Sequence, residues 1–497
     1  MSDPVSRENS AQGLRARTSL ALVLWVAANL ALSACSSDNT GSSGNPSAGA
    51  SSSGAAGSAG ATPAGGSSSG GASSAGAPSG GSGGVGGTPI ANGGSLGTAG
   101  SASGGTGASG AAGAPTGGAG GVGGTAGTGG QAGSGGSAGG VSSTGTATRP
   151  QLSAASAADF TPLKYLAQAG TLGQLKVDNW DPTAGLAAAS SFTPTYTVAS
   201  DGSGNYTTVQ AAIDAVTAAP AAARAYILVK PGTYTEVVCV KASTPITLYG
   251  ANDADATKVV ITNANYATKA YDTNYNPCKP PSAGATTYGT SASATFAVNA
   301  AGFQAKNLTI SNTYGEGSQA VALLFQGDQE VLDNVRLLGH QDTFYVGTTA
   351  STVVARAFVK SSYIEGDVDF IFGRGTLVVT GSTLNYLAVK PETSLAPSTA
   401  PTNPYGMLIV NSAITAQTGT AAGVGHLGRA WDESVKTPPG YVAGTSPNGQ
   451  AVIRETTVAA FINVASPWAP AATTSRPFNA TMNRLYEYAN TGPGAAP

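Results

Sequence analysis

Short strands that recur every 20 to 30 residues, each carrying one or two small polar residues at the same place, predict an all-β fold built as a parallel β-helix. The recurring stations are Lys306-Asn307-Leu308, Asp333-Asn334-Val335, Ser361-Ser362-Tyr363, Gly381-Ser382-Thr383 and Asn411-Ser412-Ala413. Their spacing fits one coil per repeat with loops of unequal length. No Asn-Gly or Asp-Gly hairpin turn separates these strands, which argues against an antiparallel sandwich. The folded part, at roughly 350 residues, is also long for a domain with one ordinary core, which favours an elongated, repetitive architecture.

The chain has 497 residues, and a large share of its 71 glycines precedes the folded part. At the N-terminus Arg7, Arg15 and Arg17 precede an apolar stretch at residues 20–32, too short to span a bilayer as a mature helix. It ends in Leu32-Ser33-Ala34-Cys35, which resembles the lipobox of bacterial lipoproteins. Residues 1–34 are thus expected to be a signal peptide and Cys35 the lipidation site; an ordinary cleaved signal with an incidental cysteine is the plainer alternative. Several acyl chains at ~0.8 kcal/mol per buried methylene would make such an anchor close to permanent.

Residues 35–148 follow as a linker of Gly, Ser, Ala and Thr with almost no charge or aromatic residue. Such a segment buries too little apolar surface to offset its ordering entropy, so a flexible, disordered tether with a typical reach of ~60 Å is expected. A glycosylated stalk remains open.

The folded domain is expected over residues 149–497. Asp201-Gly202-Ser203-Gly204 marks a turn, and Val209, Ile213 and Val216 share one face of a helix at residues 209–216. This helix would cap the open N-terminal end of the coils and protect the strand edge there. Strands are expected at residues 225–229, 237–240, 246–249 and 259–261. With Cys35 lipidated, Cys239 and Cys278 remain as a pair in an oxidising compartment, and a disulfide between them would close a loop of about 40 residues, stabilising by ~4 kcal/mol. Two unrelated thiols are the alternative. The formal net charge of -2, with no long run of either sign, excludes a basic stripe for nucleic acid.

Three segments carry candidate chemistry: Gly339-His340-Gln341-Asp342-Thr343-Phe344-Tyr345, Gly366-Asp367-Val368-Asp369-Phe370-Ile371-Phe372-Gly373 and Leu427-Gly428-Arg429-Ala430-Trp431. Each has a structural reading when taken alone. Asp369 could bond backbone amides, Gln341-Asp342 could be a turn, Arg429 a surface ion pair, and Gln319 a side chain satisfying backbone in a crowded coil. Taken together, the separations from Gln319 to Asp342 and on to Asp369 match the coil repeat, which would stack all three ~4.8 Å apart per layer. Two carboxylates that close cannot both ionise easily, so one becomes an acid and the other a base or nucleophile.

On these residues the chain resembles the pectin methylesterases, carbohydrate esterases that demethylate polygalacturonate on a right-handed parallel β-helix. The matching stations run in order through Asp201-Gly202-Ser203-Gly204, Gly232-Thr233-Tyr234-Thr235-Glu236, Gln319 to Leu323, Gln341-Asp342-Thr343, Asp369 to Gly373, Leu427 to Trp431, Glu487-Tyr488 and Gly492-Pro493-Gly494. The resemblance implies that Asp369 is the nucleophile and that Asp342 is first acid, then base. It further implies that Gln319 and Gln341 donate to the oxyanion, and that Arg429 holds Asp369 ionised. Tyr345, Phe372 and Trp431 match aromatics of the sugar groove, Trp468 is a further candidate wall, and Arg374 is either a contact for a free substrate carboxylate or a solvated charge.

Departures from the plant pattern are His340 for tyrosine, Arg374 for asparagine and Ala430 for proline. The N-terminal extension, the lipobox and Ala430 resemble a bacterial outer-membrane lipoprotein branch of the family. A monomer acting on methylesterified pectin or oligogalacturonides is expected, with no cofactor and no metal required, tethered to the cell envelope. The alternatives are a surface carbohydrate-binding lipoprotein with a vestigial site and an esterase or thioesterase acting on another ester.

Overall fold

The structure, a computed structural model, describes residues 141–497 apart from Gly185 and Pro391. The expected signal segment, Cys35 and nearly all of the expected linker lie outside the described residues. Three parallel sheets run along the molecule and together make the coils of a β-helix. The first runs from Tyr196–Val198 through Ala225–Val229 and Ile246–Gly250 to Arg484–Tyr488. The second runs from Gly232–Thr235 and Val259–Asn263 to Thr457–Val458. The third has seven strands, from Val238–Val240 to His426–Gly428. Gln304–Asn312 and Glu330–Leu338 each pass through both of the first two sheets.

The repeated polar stations are the corners between the first and second sheets. Asn307, Asn334, Ser361, Gly381 and Asn411 sit there with φ of 58°, 54°, 49°, 56° and 49°, the left-handed region that Asn and Gly tolerate best. Beside them a hydroxyl ladder climbs the coils. The backbone N–H groups of Val335, Ser362 and Ser382 donate to the hydroxyls of Ser362, Ser382 and Ser412 on the next coil, at 3.1, 3.0 and 3.2 Å. Inward residues of all three sheets fill one continuous core, including Phe296, Phe325, Phe344, Ile371 and Leu395.

The expected capping helix is Val209–Ala218, with Val209, Ala212, Ile213 and Val216 buried. Thr208 caps it, and Glu236 accepts from the N–H groups of Val209 and Gln210 at 2.8 and 2.9 Å, where a carboxylate also suits the helix dipole. Cys239 and Cys278 form the disulfide, with Cα atoms 5.3 Å apart.

The folded chain starts earlier than residue 149. Ser143–Thr146 pairs antiparallel with Arg149–Leu152 across a two-residue turn at Ala147-Thr148, where the Arg149 N–H donates to Thr146 Oγ1 at 3.0 Å. Arg149–Leu152 then touches the last strand through the Gln151 to Glu487 pairing. The segment that follows lays Phe160, Tyr165 and Leu166 against Val331, Phe358, Val378, Leu408 and Val452, on the outer face of the first sheet. Arg356, fully buried, ties this strap down by donating to Asp178, Asp328 and the Leu166 carbonyl.

Candidate active site

The site forms on the outer face of the third sheet and in the turns that lead into it. Strand register sets Phe344 beside Ile371, so Asp342 and Asp369, each two residues earlier, occupy equivalent turns of neighbouring coils. Both have left-handed backbones, with φ of 68° and 46°. This is an uncommon conformation for a non-glycine residue, and one that tends to collect at functional sites. The Asp342 N–H donates to the Val368 carbonyl at 3.1 Å, which locks the two turns together.

Asp369 is held from three directions. Arg429 Nε donates to Oδ1 and Oδ2 at 2.9 and 3.1 Å, and its Nη2 donates to Oδ2 at 2.7 Å. Thr393 Oγ1 donates to Oδ1 at 2.6 Å and accepts the Asp369 N–H at 3.0 Å. A fork-shaped, charge-assisted pair of this kind fixes both the charge and the direction of a carboxylate. Asp342 has the opposite environment. Its burial and the adjacent Asp369 carboxylate push it well above the usual carboxylate range, with Asp367 adding to the shift and Arg429 opposing it. The two carboxyl groups therefore sit in opposite surroundings, one forked by a guanidinium and the other buried where its charge is disfavoured.

Gln319 does not stack in register with the two aspartates. Phe344 pairs with Leu323, so the partner of Asp342 on the preceding coil is Val321. The offset arises because the Thr343 carbonyl accepts from both Ala322 and Leu323, at 2.9 and 3.1 Å. The doubled contact brings Gln319 beside Gln341 instead, through the Ala320 N–H to Gln341 carbonyl bond of 3.1 Å. Gln319 is buried and Gln341 half-buried.

Tyr345 and Phe372 stack at 4.3 Å between ring centroids, and Trp431 packs on Phe372 at 5.7 Å. These rings lie outside the coil in one cluster with the disulfide and Ala396. Trp468 is not a groove wall: it is 1% exposed and belongs to the interior core. Its bridge partner Gly428 lies opposite inward-facing Leu395 and has no room for a side chain, so the indole supplies inner packing there. Arg374 is neither free nor merely solvated, since it forms an ion pair with Glu433, whose Oε2 also accepts from Ser398 at 2.6 Å. That pairing leaves Arg374 poorly available as a lone anchor for a substrate carboxylate. Thr393 and Asp367 carried no motif signal; Asp367 was visible only as a second acid beside Asp369.

A pectinesterase family model matches residues 195–496. The chain belongs to the pectinesterase family. It is 48% identical over 381 residues to a pectinesterase of Ralstonia nicotianae, covering 71% of this chain and 93% of that protein. Among solved structures, rice weevil pectin methyl esterase is 32% identical with a TM-score of 0.59, covering 70% of this chain and 98% of its own. Escherichia coli YbhC, described as a putative acyl-CoA thioester hydrolase, is 32% identical with a TM-score of 0.61, covering 70% and 96% of the two chains. The coils of this pectinesterase-family chain match those right-handed parallel β-helices.

Proposed function

We propose that the chain hydrolyses galacturonate methyl esters of pectin through an aspartyl acyl-enzyme, releasing methanol and leaving pectate. The observation that carries this reading is the Arg429 fork on Asp369 in one turn and, in the adjacent turn, the buried Asp342 whose surroundings disfavour its charge. The Asp369 carboxylate attacks the C6 carbonyl, and Gln319 and Gln341 donate to the oxyanion that develops there. Collapse breaks the C6–OCH3 bond while Asp342 gives its proton to the departing methoxy oxygen. A water that loses its proton to the now anionic Asp342 attacks the mixed anhydride, regenerating Asp369 and restoring the proton to Asp342. Tyr345, Phe372 and Trp431 offer ring faces to the apolar faces of the sugars.

Methanol release from methylated pectin is the direct test. The parent should be active, Asp369→Ala inactive, and Asp342→Asn slow with an acyl-enzyme mass adduct. A parent that releases no methanol would sink the proposal. A second reading, hydrolysis of a thioester, is favoured by the likeness to YbhC, and rates on pectin polymer, short oligogalacturonides and an acyl thioester would rank the substrates.

The lipobox at Cys35 supports an anchored lipoprotein at the outer membrane of a bacterial envelope, with the Gly-rich linker as tether. Incorporation of a labelled fatty acid, lost in Cys35→Ala, is the expected result; equal labelling in both would remove the anchor.

A further inference from the structure

Each catalytic turn carries a second ionisable residue two positions before its carboxylate: His340 before Asp342, and Asp367 before Asp369. Coil stacking brings the pair together, with His340 Nδ1 2.7 Å from Asp367 Oδ2 and side-chain exposures of 24% and 4%. A carboxylate so enclosed must be neutral or paired. The backbone closes the same joint. Asp367 N–H donates to the His340 carbonyl at 3.4 Å, and Thr343 Oγ1 bridges the carbonyls of His340 and Glu365 at 3.1 and 2.9 Å. The Asp367 carbonyl accepts from the N–H groups of Glu392 and Thr393 at 2.9 and 3.3 Å, and Thr393 is the residue whose hydroxyl holds Asp369.

We propose that His340 and Asp367 are positioning residues that form a protonation-sensitive clamp across the two catalytic turns, holding Asp342 and Asp369 in their working alignment when the imidazole is charged. The inference rests on the assignment of those two aspartates as catalytic.

The charges facing the pair decide how it responds to pH. Asp367 faces His340 directly, Glu316 and Glu365 face it from the preceding loop and from the strand Tyr363–Gly366, and the Asp367 carboxylate also acts on Asp342. The Asp367 hydrogen bond holds the His340 imidazolium to higher pH than an ordinary histidine, against the effect of burial, and the two glutamates add to this. Once the imidazole loses its proton, the charge-assisted bond weakens and the Asp367 anion faces Asp342 without a cation. That anion opposes ionisation of Asp342, so the step in which Asp342 must give its proton to the departing methoxy oxygen slows. kcat should therefore fall as pH rises through the His340 ionisation.

The test is kcat and kcat/KM for methanol release from methylated pectin between about pH 5 and about pH 9, with thermal unfolding of every variant in parallel. The parent should lose kcat along an ionisation above the ordinary histidine range. His340→Ala should lower kcat about tenfold. His340→Gln, which can donate to Asp367 without titrating, should restore most of that loss while the ionisation disappears from the profile. Should His340→Ala fail to fold, Asp367→Asn reads the same ionisation and should also lack it. Variants that fold and keep the parent's kcat and pH profile overturn the clamp. Asp369→Asn separates the two claims: turnover by that variant would remove the catalytic assignment and the clamp with it, whereas an inert Asp369→Asn beside unaltered His340 profiles removes the clamp alone.

Discussion

The Arg429 fork on Asp369 is the contact on which nucleophile geometry depends most directly. Arg429→Ala leaves a largely buried carboxylate without its cation, and kcat/KM is expected to fall by about 10²- to 10³-fold with the fold retained; circular dichroism and methanol release check both halves. Thr393→Val removes both the hydrogen bond to Asp369 Oδ1 and the acceptor of the Asp369 N–H, and should cost about tenfold in kcat. Glu330 presents a different residue-scale consequence. It is fully buried in the first sheet, neither carboxylate oxygen has a well-formed partner among the described residues, and burial drives it well above the usual carboxylate range, with Asp328 adding and the Gly327 N–H opposing. Its folded form thus binds a proton that the unfolded chain releases at ordinary carboxylate pH. The stability it favours is present below that pH and is lost progressively as pH rises toward the folded value. Glu330→Met should flatten the fall in unfolding midpoint with rising pH; an unchanged slope would exclude Glu330 as the source.

At the scale of elements, the strand corners explain the sequence repeat. One small polar residue per coil recurs because the turn between the first and second sheets needs a left-handed backbone, and because the hydroxyl beside it satisfies the N–H of the coil below. Replacing Asn334 by Val puts a β-branched residue at φ 54° and should destabilise by about 1–3 kcal/mol, measurable by denaturant unfolding; Asn334→Gly should be far milder. The repeat was legible because it is a local backbone requirement. The register of Gln319 was not, since it depends on two N–H groups converging on the Thr343 carbonyl, a pairing invisible in residue spacing. Trp468 was misplaced for a related reason: residue spacing does not say which side of a strand an aromatic faces, and coil stacking seats this one in the interior core beside Gly428.

For the whole molecule, the strap at residues 141–180 covers the apolar outer face of the first sheet and reaches the last strand. Its joint is Arg149, whose Nε and Nη2 bond the two Glu487 oxygens at 2.8 Å each in a fully enclosed site. Arg149→Ala should destabilise by about 3–5 kcal/mol, and removal of residues 141–180 should expose Phe358, Val378 and Leu408 and give aggregation on size-exclusion chromatography. A cooperative, monodisperse truncated protein would show that the strap is dispensable. The sequence by itself determined the coil repeat and the capping helix, and it marked Cys239 with Cys278, and Asp342, Asp369 and Arg429, as candidates, because each rests on local backbone demands or on a chemistry that permits few residue types. Only the tertiary structure decided that the extension straps the coils, that Thr393 and the His340–Asp367 pair attend the site, and that Arg374 is engaged by Glu433. Those contacts join residues 24 to 338 positions apart, and their existence depends on how the coils stack and how the strap lies across them.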